Sequence, residues 1–371
     1  MKQYICYLIL IFFLTACGGG GTGEPAAVTA PEPPAVTSPE LPQQEQPLPL
    51  PNVVQNTLSN EISPHQAISE MKVGINLGNT LDAPTEGEWA LPAEQYYFEA
   101  FAEAGFKHVR IPITWDQRVA TEAPYRVDED FMNRVEQLVD WALAQDLYVI
   151  INVHHDDWIK ENYQSVQHRS RFDTIWISIA ERFKDKSPKL LFEILNEPHD
   201  MSMADLNTLH KRALSIIRNQ TSNRLVVFSG NGWSALDDLI TDELDVPDVN
   251  DQFLIGNFHS YDPWNFAGAC TEEWGSDEDK SELKEIYQKA FDWSQVNNIP
   301  VMVNEFGAAK YDHEKPENVC EQSQREEYLS SHVTFAKEFG LAATFWDDGG
   351  SFASYNREEN TWGPEKGVLV Q

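Results

Sequence analysis

The chain has 371 residues, with 27 basic against 59 acidic side chains and a formal net charge of −32. A hydrophobic fraction of 42% with 23% charged residues supports a sizeable folded core and excludes a chain disordered throughout, a collagen-like repeat and a coiled coil. The acid excess repels phosphate backbones and anionic lipid headgroups, which argues against nucleic acid and for a neutral, hydroxyl-rich ligand.

Lys2 and the apolar run from Ile5 to Leu14 have the basic start and short hydrophobic core of a secretory signal, too short to span a bilayer comfortably. The run ends in Leu14-Thr15-Ala16-Cys17-Gly18, which looks like a bacterial lipoprotein box. The reading is a signal peptide over 1–16 and an acylated Cys17, the membrane partner being this N-terminal lipid anchor. The alternative is a plain secretory signal and a soluble exported protein. Residues 17–59 carry four glycines directly after Cys17 and are dense in proline as far as Pro51, which predicts an extended, partly stiff spacer. Location is accordingly the outer membrane or cell surface, or else secreted or periplasmic.

From 60 to 371 the composition is that of one globular domain, taken as a monomer. Apolar, β-branched runs alternate with polar loops and amphipathic helical stretches, the signature of a parallel sheet covered by helices. The predicted strands are Val73 to Leu77, His108 to Ile111, Tyr148 to Val153, Leu190 to Leu195, Leu225 to Phe228, Phe253 to Phe258, Val301 to Val303 and Ala343 to Trp346. Eight strand–helix units imply an α/β fold closed as a (β/α)8 TIM barrel. Such barrels converge their chemistry at the C-terminal ends of the strands. Those ends carry Asn79 and Asp82, then Arg110, His154-His155, Asn196-Glu197, His259 and Tyr261, Glu305, and Trp346. Two glutamates on non-adjacent strands of one barrel can face each other, as two-carboxylate glycosidic cleavage requires.

Gly-Ile-Asn-Leu-Gly-Asn at 74–79, His-Val-Arg-Ile-Pro at 108–112, Ile-Leu-Asn-Glu-Pro at 194–198 and Val-Asn-Glu-Phe-Gly at 303–307 resemble glycoside hydrolase family 5, the cellulase family. The paired histidines, the His-x-Tyr and the late tryptophan in the same order make the resemblance specific. It implies Glu197 as acid/base and Glu305 as a nucleophile acting with net retention. It further implies Asn196 on the sugar 2-hydroxyl, His154 and His155 on neighbouring hydroxyls, and Trp346 as a stacking platform. Asn79, Asp82, Arg110, His259 and Tyr261 complete the substrate-binding set. Arg110 and Tyr261 would keep Glu305 charged, while Glu197 would begin protonated in a less charged setting near His259.

No cofactor is implied. A catalytic metal is rejected at His154-His155-Asp156-Asp157, because adjacent strand residues point opposite ways and no third ligand follows at metal spacing. Trp89, Trp115, Trp158, Trp233, Trp264, Trp274 and Trp346 fall in predicted loops; Trp346 is the foremost candidate for sugar stacking, and for the others stacking and core packing both stay open, whereas Trp141, Trp176 and Trp293 are read as core. Cys270 and Cys320 form either a disulfide or two separate buried thiols. Only 25 residues follow Trp346, so barrel closure is expected to be minimal, or the chain clipped. The implied activity is endo-β-1,4-glucanase on cellulose or mixed-linkage β-glucan. β-Mannanase or xyloglucanase is the alternative enzyme, and a catalytically silent polysaccharide-binding lipoprotein the alternative from another class.

Overall fold

A computed structural model describes residues 56–370. The signal peptide, Cys17 and nearly all of the spacer lie outside the described residues. Residues 56–58, assigned to the spacer by composition, already belong to the folded body. Asn56 donates its backbone N–H to Gln220 O at 3.0 Å, and Leu58 donates to Asn223 Oδ1 at 2.8 Å.

Eight parallel strands close into a barrel: β1 (Val73–Asn76), β2 (His108–Ile111), β3 (Tyr148–Asn152), β4 (Leu190–Glu193), β5 (Val226–Ser229), β6 (Leu254–Ser260), β7 (Val301–Phe306) and β8 (Ala342–Phe345). β8 pairs directly with β1, Val73 opposite Ala343 and Ile75 opposite Phe345. Closure is therefore complete, against the expectation from the short C-terminal segment, because closing a barrel needs strand hydrogen bonds and not a long last helix. Outside that seam, Trp362 packs its ring against Phe101 and Phe106, and Leu369 is buried.

The helices are α1 (Pro64–Met71), α2 (Gln95–Ala104), α3 (Glu129–Ala144), α4 (Asp157–Glu161), α5 (Val166–Phe183), α6 (Met203–Gln220), α7 (Leu236–Leu239), α8 (Trp264–Ala267), α9 (Asp277–Asn297), α10 (Gln322–Phe339) and α11 (Lys366–Leu369). In α3 the apolar stripe Phe131, Val135, Leu138, Val139 and Ala142 is buried against the sheet, as its spacing requires. None of the described helices is long and apolar enough to cross a membrane.

Alternation along each strand divides the apolar side chains into two cores. The outward positions form the large shell under the helices. The inward positions nearest the strand starts form a smaller plug: Tyr148, Ile150, Leu191, Val227, Ile255, Met302 and Ala342 pack against Ala67, Ile68 and Met71 of α1. That helix seals the lower end of the barrel, and Ser63 caps it by accepting the Gln66 N–H.

One inward step above the plug the barrel turns polar. Asn152, Glu193, Ser229, Asn257, Asn304 and Thr344 follow the plug residues on their strands, joined by Asn76 and Arg110, all buried. A barrel interior is ordinarily filled at this level by branched apolar residues. The departure puts a buried polar layer directly beneath the mouth, hydrogen-bonded through Asn76, Arg110, Asn152, Glu193, Asn304 and Thr344, while the side chains of Ser229 and Asn257 have no partner.

Candidate active site

β4 ends at Glu193, so Asn196 and Glu197 lie on the loop beyond it, and Glu197 takes a left-handed φ of 44°. That conformation is costly for a residue with a Cβ and persists only where the surroundings impose it. β6 and β7 run further than predicted, through Ser260 and Phe306, and their pairing shifts register at Phe258/His259 and between Val303 and Phe306. Such irregularities re-aim side chains. Here His259 and Glu305 become register partners at the rim.

The result is one compact constellation. His259 Nδ1 donates to Glu197 Oε1 at 2.9 Å and lies 3.7 Å from Glu305 Oε2. One carboxylate oxygen of Glu197, one of Glu305 and a His259 nitrogen all lie within 4.8 Å of each other. Glu305 also accepts from Tyr261 Oη at 2.9 Å and from Arg110 Nη1 at 2.5 Å. Arg110, wholly buried, donates Nη2 to Asn196 Oδ1 at 2.7 Å, which orients that amide. The Nδ2 of Asn196 has no partner and is buried, a donor left for an incoming group.

Above this floor is a cleft of about 730 Å³ lined by His154, His155, Trp233, Trp264, Trp346 and Phe352 among others. Trp346 lies parallel to the His154 ring, interplanar angle 2°. Gly78 makes room for it, since a Cβ there would come within 2.9 Å of the indole. Trp89, Trp233 and Trp264 expose 48%, 59% and 57% of their surface, enough to offer a ring to a sugar, with Trp233 backed on one face by the parallel ring of His199. Trp115 and Trp274 do not belong to this set. Trp115 is fully buried and donates Nε1 to Asn152 O, and Trp274 is packed on Phe266 and Tyr328. Trp158 is half-buried with Nε1 on Asp156. Trp176 is core as expected, while Trp141 and Trp293 pack on the core only partly buried.

Asn79 and Asp82 sit at the edge. Asp82 is buried, and its two oxygens accept the backbone N–H groups of Asn79 and Thr80, so it shapes the loop after β1. Burial raises its carboxyl to about 6. Beside it, His154 and His155 do not diverge as adjacent strand residues would, because β3 has already ended at Asn152. Their rings are 4.4 Å apart, and ligand atoms of Asp82, His154 and His155 fall within 4.8 Å of one another. Geometry thus supplies the third ligand absent from the sequence spacing. This trio and the Glu197–His259–Glu305 group are the places among the described residues where a metal could be held.

The electrostatics reverse the expected split. Burial is the largest influence on Glu197 and would raise it, but the His259 hydrogen bond and the charges of His259, Lys160 and Arg110 together outweigh it, and the carboxyl lies below its ordinary value. Burial raises Glu305, with His259 and Arg110 opposing it incompletely. Burial would lower His259, but the Glu305 charge and the bond to Glu197 prevail and hold it up. Tyr261 is pushed well up, first by burial and then by the charges of Glu305 and Glu197, and remains a hydrogen-bond donor. Behind Arg110 lies Glu193, of whose role the sequence gives no sign. It binds Arg110 with both oxygens, at 2.6 and 2.7 Å, so the one guanidinium charge is divided between two carboxylates.

Cys270 and Cys320 are joined as a disulfide between the loops after β6 and β7. Arg357 was likewise not singled out. It binds Gly78 O, Thr80 Oγ1 and Asp347 O, tying the C-terminal segment to the mouth.

Residues 71–351 match the model of the cellulase family, glycosyl hydrolase family 5. The chain belongs to that family. Among curated relatives it is 39% identical over 311 residues to endoglucanase H of Acetivibrio thermocellus, covering 82% of this chain and 33% of that protein. Against endoglucanase B of Clostridium cellulovorans the identity is 31%, covering 84% and 76%. The chain thus spans about a third of the length of the first of these relatives. Thermotoga maritima Cel5A, solved with mannotriose, superposes with a TM-score of 0.77 at 30% identity, covering 83% of this chain and 100% of that one. The same protein has also been solved, in a mutant form, with cellobiose.

Proposed function

We propose that this family 5 chain is a retaining endo-β-1,4-glucanase that cleaves cellulose or mixed-linkage β-glucan, with Glu305 as nucleophile and Glu197 as acid/base. The observation that carries the mechanism is the approach of the two carboxylates to within 4.8 Å across His259. An inverting enzyme needs room for a water between its carboxyl groups, about 6.5–9.5 Å, whereas a retaining one keeps them about 5–5.5 Å apart.

In this reading Arg110 and Tyr261 fix Glu305 beneath the anomeric carbon. A sugar filling the cleft excludes water and makes the charged Glu197–His259 pair costlier, so the His259 proton passes to Glu197. Glu197 then protonates the leaving oxygen as Glu305 forms the glycosyl ester. With Glu305 esterified, Glu197 takes a proton from water and the ester is hydrolysed. The free Nδ2 of Asn196 meets the 2-hydroxyl, a contact that strengthens in the transition state.

Exposed indoles on separate segments, Trp89 on the loop after β1, Trp233 on the loop after β5 and Trp264 opening α8 after β6, support binding of a chain that continues past the cleaved bond, hence internal cleavage. The names of the curated relatives agree with a glucan. Mannotriose bound to the Thermotoga protein favours mannanase as the second reading. A silent binding protein would have no need of the carboxylate pair. Initial rates on uncharged β-glucan, galactomannan, xyloglucan and xylan under one condition, with product sizes over time, test the proposal. Faster glucan cleavage with mixed oligomers is expected. A mannan rate above every glucan rate, or disaccharide as the sole early product, refutes it.

The export reading rests on the sequence of the first 17 residues alone and places the enzyme on an envelope surface, held by a lipid on Cys17.

A further inference from the structure

Arg110 has five N–H donors, and all five are committed. Nε and Nη2 go to the two oxygens of Glu193, Nη2 also to Asn196 Oδ1, and Nη1 to Asn76 Oδ1 and Glu305 Oε1. Glu193 is itself held, since its Oε2 accepts from Asn304 Nδ2 at 2.9 Å. It is 1% exposed, lies one layer below the cleft floor and does not line the cleft.

We propose that Glu193 is a positioning residue for the nucleophile: it grips Arg110 in one orientation and takes part of its charge, so that Arg110 locks the Glu305 carboxylate in place without quenching it. The inference rests on the reading of Glu305 as nucleophile. The physical conflict it resolves is general. A guanidinium paired with one carboxylate alone orients it but also stabilises its charge, and a stabilised carboxylate is a poorer nucleophile. A second carboxylate on the far edge of the same guanidinium keeps the orientation and relaxes the stabilisation.

The charged and titratable groups facing Glu305 from the elements packed around it are few. Arg110 comes from β2, and Glu197 from the loop after β4, with Glu193 behind Arg110. His259 and Tyr261 come from β6 and the residue just after it. Removing the Glu193 charge leaves Arg110 undivided, and every carboxyl in the group becomes easier to ionise.

The test is Glu193→Gln, assayed on soluble, uncharged mixed-linkage β-glucan across pH. The acid limb of kcat/KM should move to lower pH by about one unit. At the plateau kcat should fall roughly tenfold to a hundredfold, because glutamine offers one acceptor where Arg110 presents two donors. Glu193→Asp keeps the charge but pulls it back, so its acid limb should return to the wild-type position while kcat stays low and KM stays within about twofold. A folded Glu193→Gln protein with the wild-type acid limb overturns the proposal, since a purely structural role would lower stability and leave the limb in place. Should Glu193→Gln not fold, Glu193→Asp decides, and a kcat within about twofold of wild type overturns it. Glu305→Gln, run alongside, separates the two claims: if that variant keeps activity, the nucleophile assignment fails whatever Glu193 does.

Discussion

Arg110 and Glu193 form a two-pronged ion pair inside the barrel, Nε to Oε2 at 2.6 Å and Nη2 to Oε1 at 2.7 Å, with both side chains out of reach of solvent. The floor of the mouth is built on this pair. Through it Arg110 reaches Asn196 and Glu305 from one fixed plane, and the polar layer above the apolar plug holds the plane still. Removing one partner of such a pair leaves a buried charge uncompensated, which ordinarily costs about 3–5 kcal/mol. Arg110→Ala is therefore expected to lower the thermal midpoint as well as abolish turnover, unlike the substitutions that follow.

Glu305→Gln should abolish turnover and leave the fold intact. Burial raises the Glu305 carboxyl, so its contribution to stability is full below the unfolded value and lost as pH rises through the folded one. The neutral amide avoids that loss, and the thermal midpoint at pH 7 should be equal to or above wild type. Activity above about one hundredth of wild type, less than the ~10²-fold loss usual for a catalytic group, would contradict the assignment.

Much of this arrangement can be read in the sequence, for physical reasons that also explain what cannot. Strands such as Tyr148–Asn152 are continuous apolar runs because parallel barrel strands are covered on both sides, and the mouth residues follow from where those runs stop. The same reasoning hides Glu193. One carboxylate among Leu190, Leu191 and Phe192 gives no sign of facing inward until Arg110 is seen opposite it. The irregular pairing that aims His259 and Glu305 at each other carries no compositional mark. A loop tryptophan also looks the same whether it lines a cleft, as Trp233 does, or fills the core, as Trp115 does.

His210 on α6 offers a test of acid stability away from the mouth. It is fully buried against Phe228, neither ring nitrogen has a partner, and burial lowers it to about 3. A histidine lowered on folding contributes stability that is present above its unfolded value near 6.5 and lost as pH falls toward the folded one. His210→Leu removes both the unpaired nitrogens and this titration. Denaturant melts should show a higher midpoint at pH 7 and, between pH 6.5 and 5, about 2 kcal/mol less destabilisation than wild type. Equal losses in the two proteins would count against the buried neutral ring.

The lipid-anchor proposal predicts that Cys17→Ser moves the exported enzyme from the membrane pellet to the soluble fraction with its specific activity unchanged. Wild-type sedimentation of the variant would leave the anchor without support.

The central claim, a double displacement between Glu197 and Glu305, is tested most directly by the configuration of the first product. Proton NMR of a soluble β-1,4-gluco-oligosaccharide, recorded within the first minutes after enzyme is added and before mutarotation, resolves the anomeric proton of the new reducing end. The carboxylate spacing predicts the β-anomer first, with the α-anomer growing in only at the rate of mutarotation. The α-anomer appearing first would mean single displacement by water and would contradict the account.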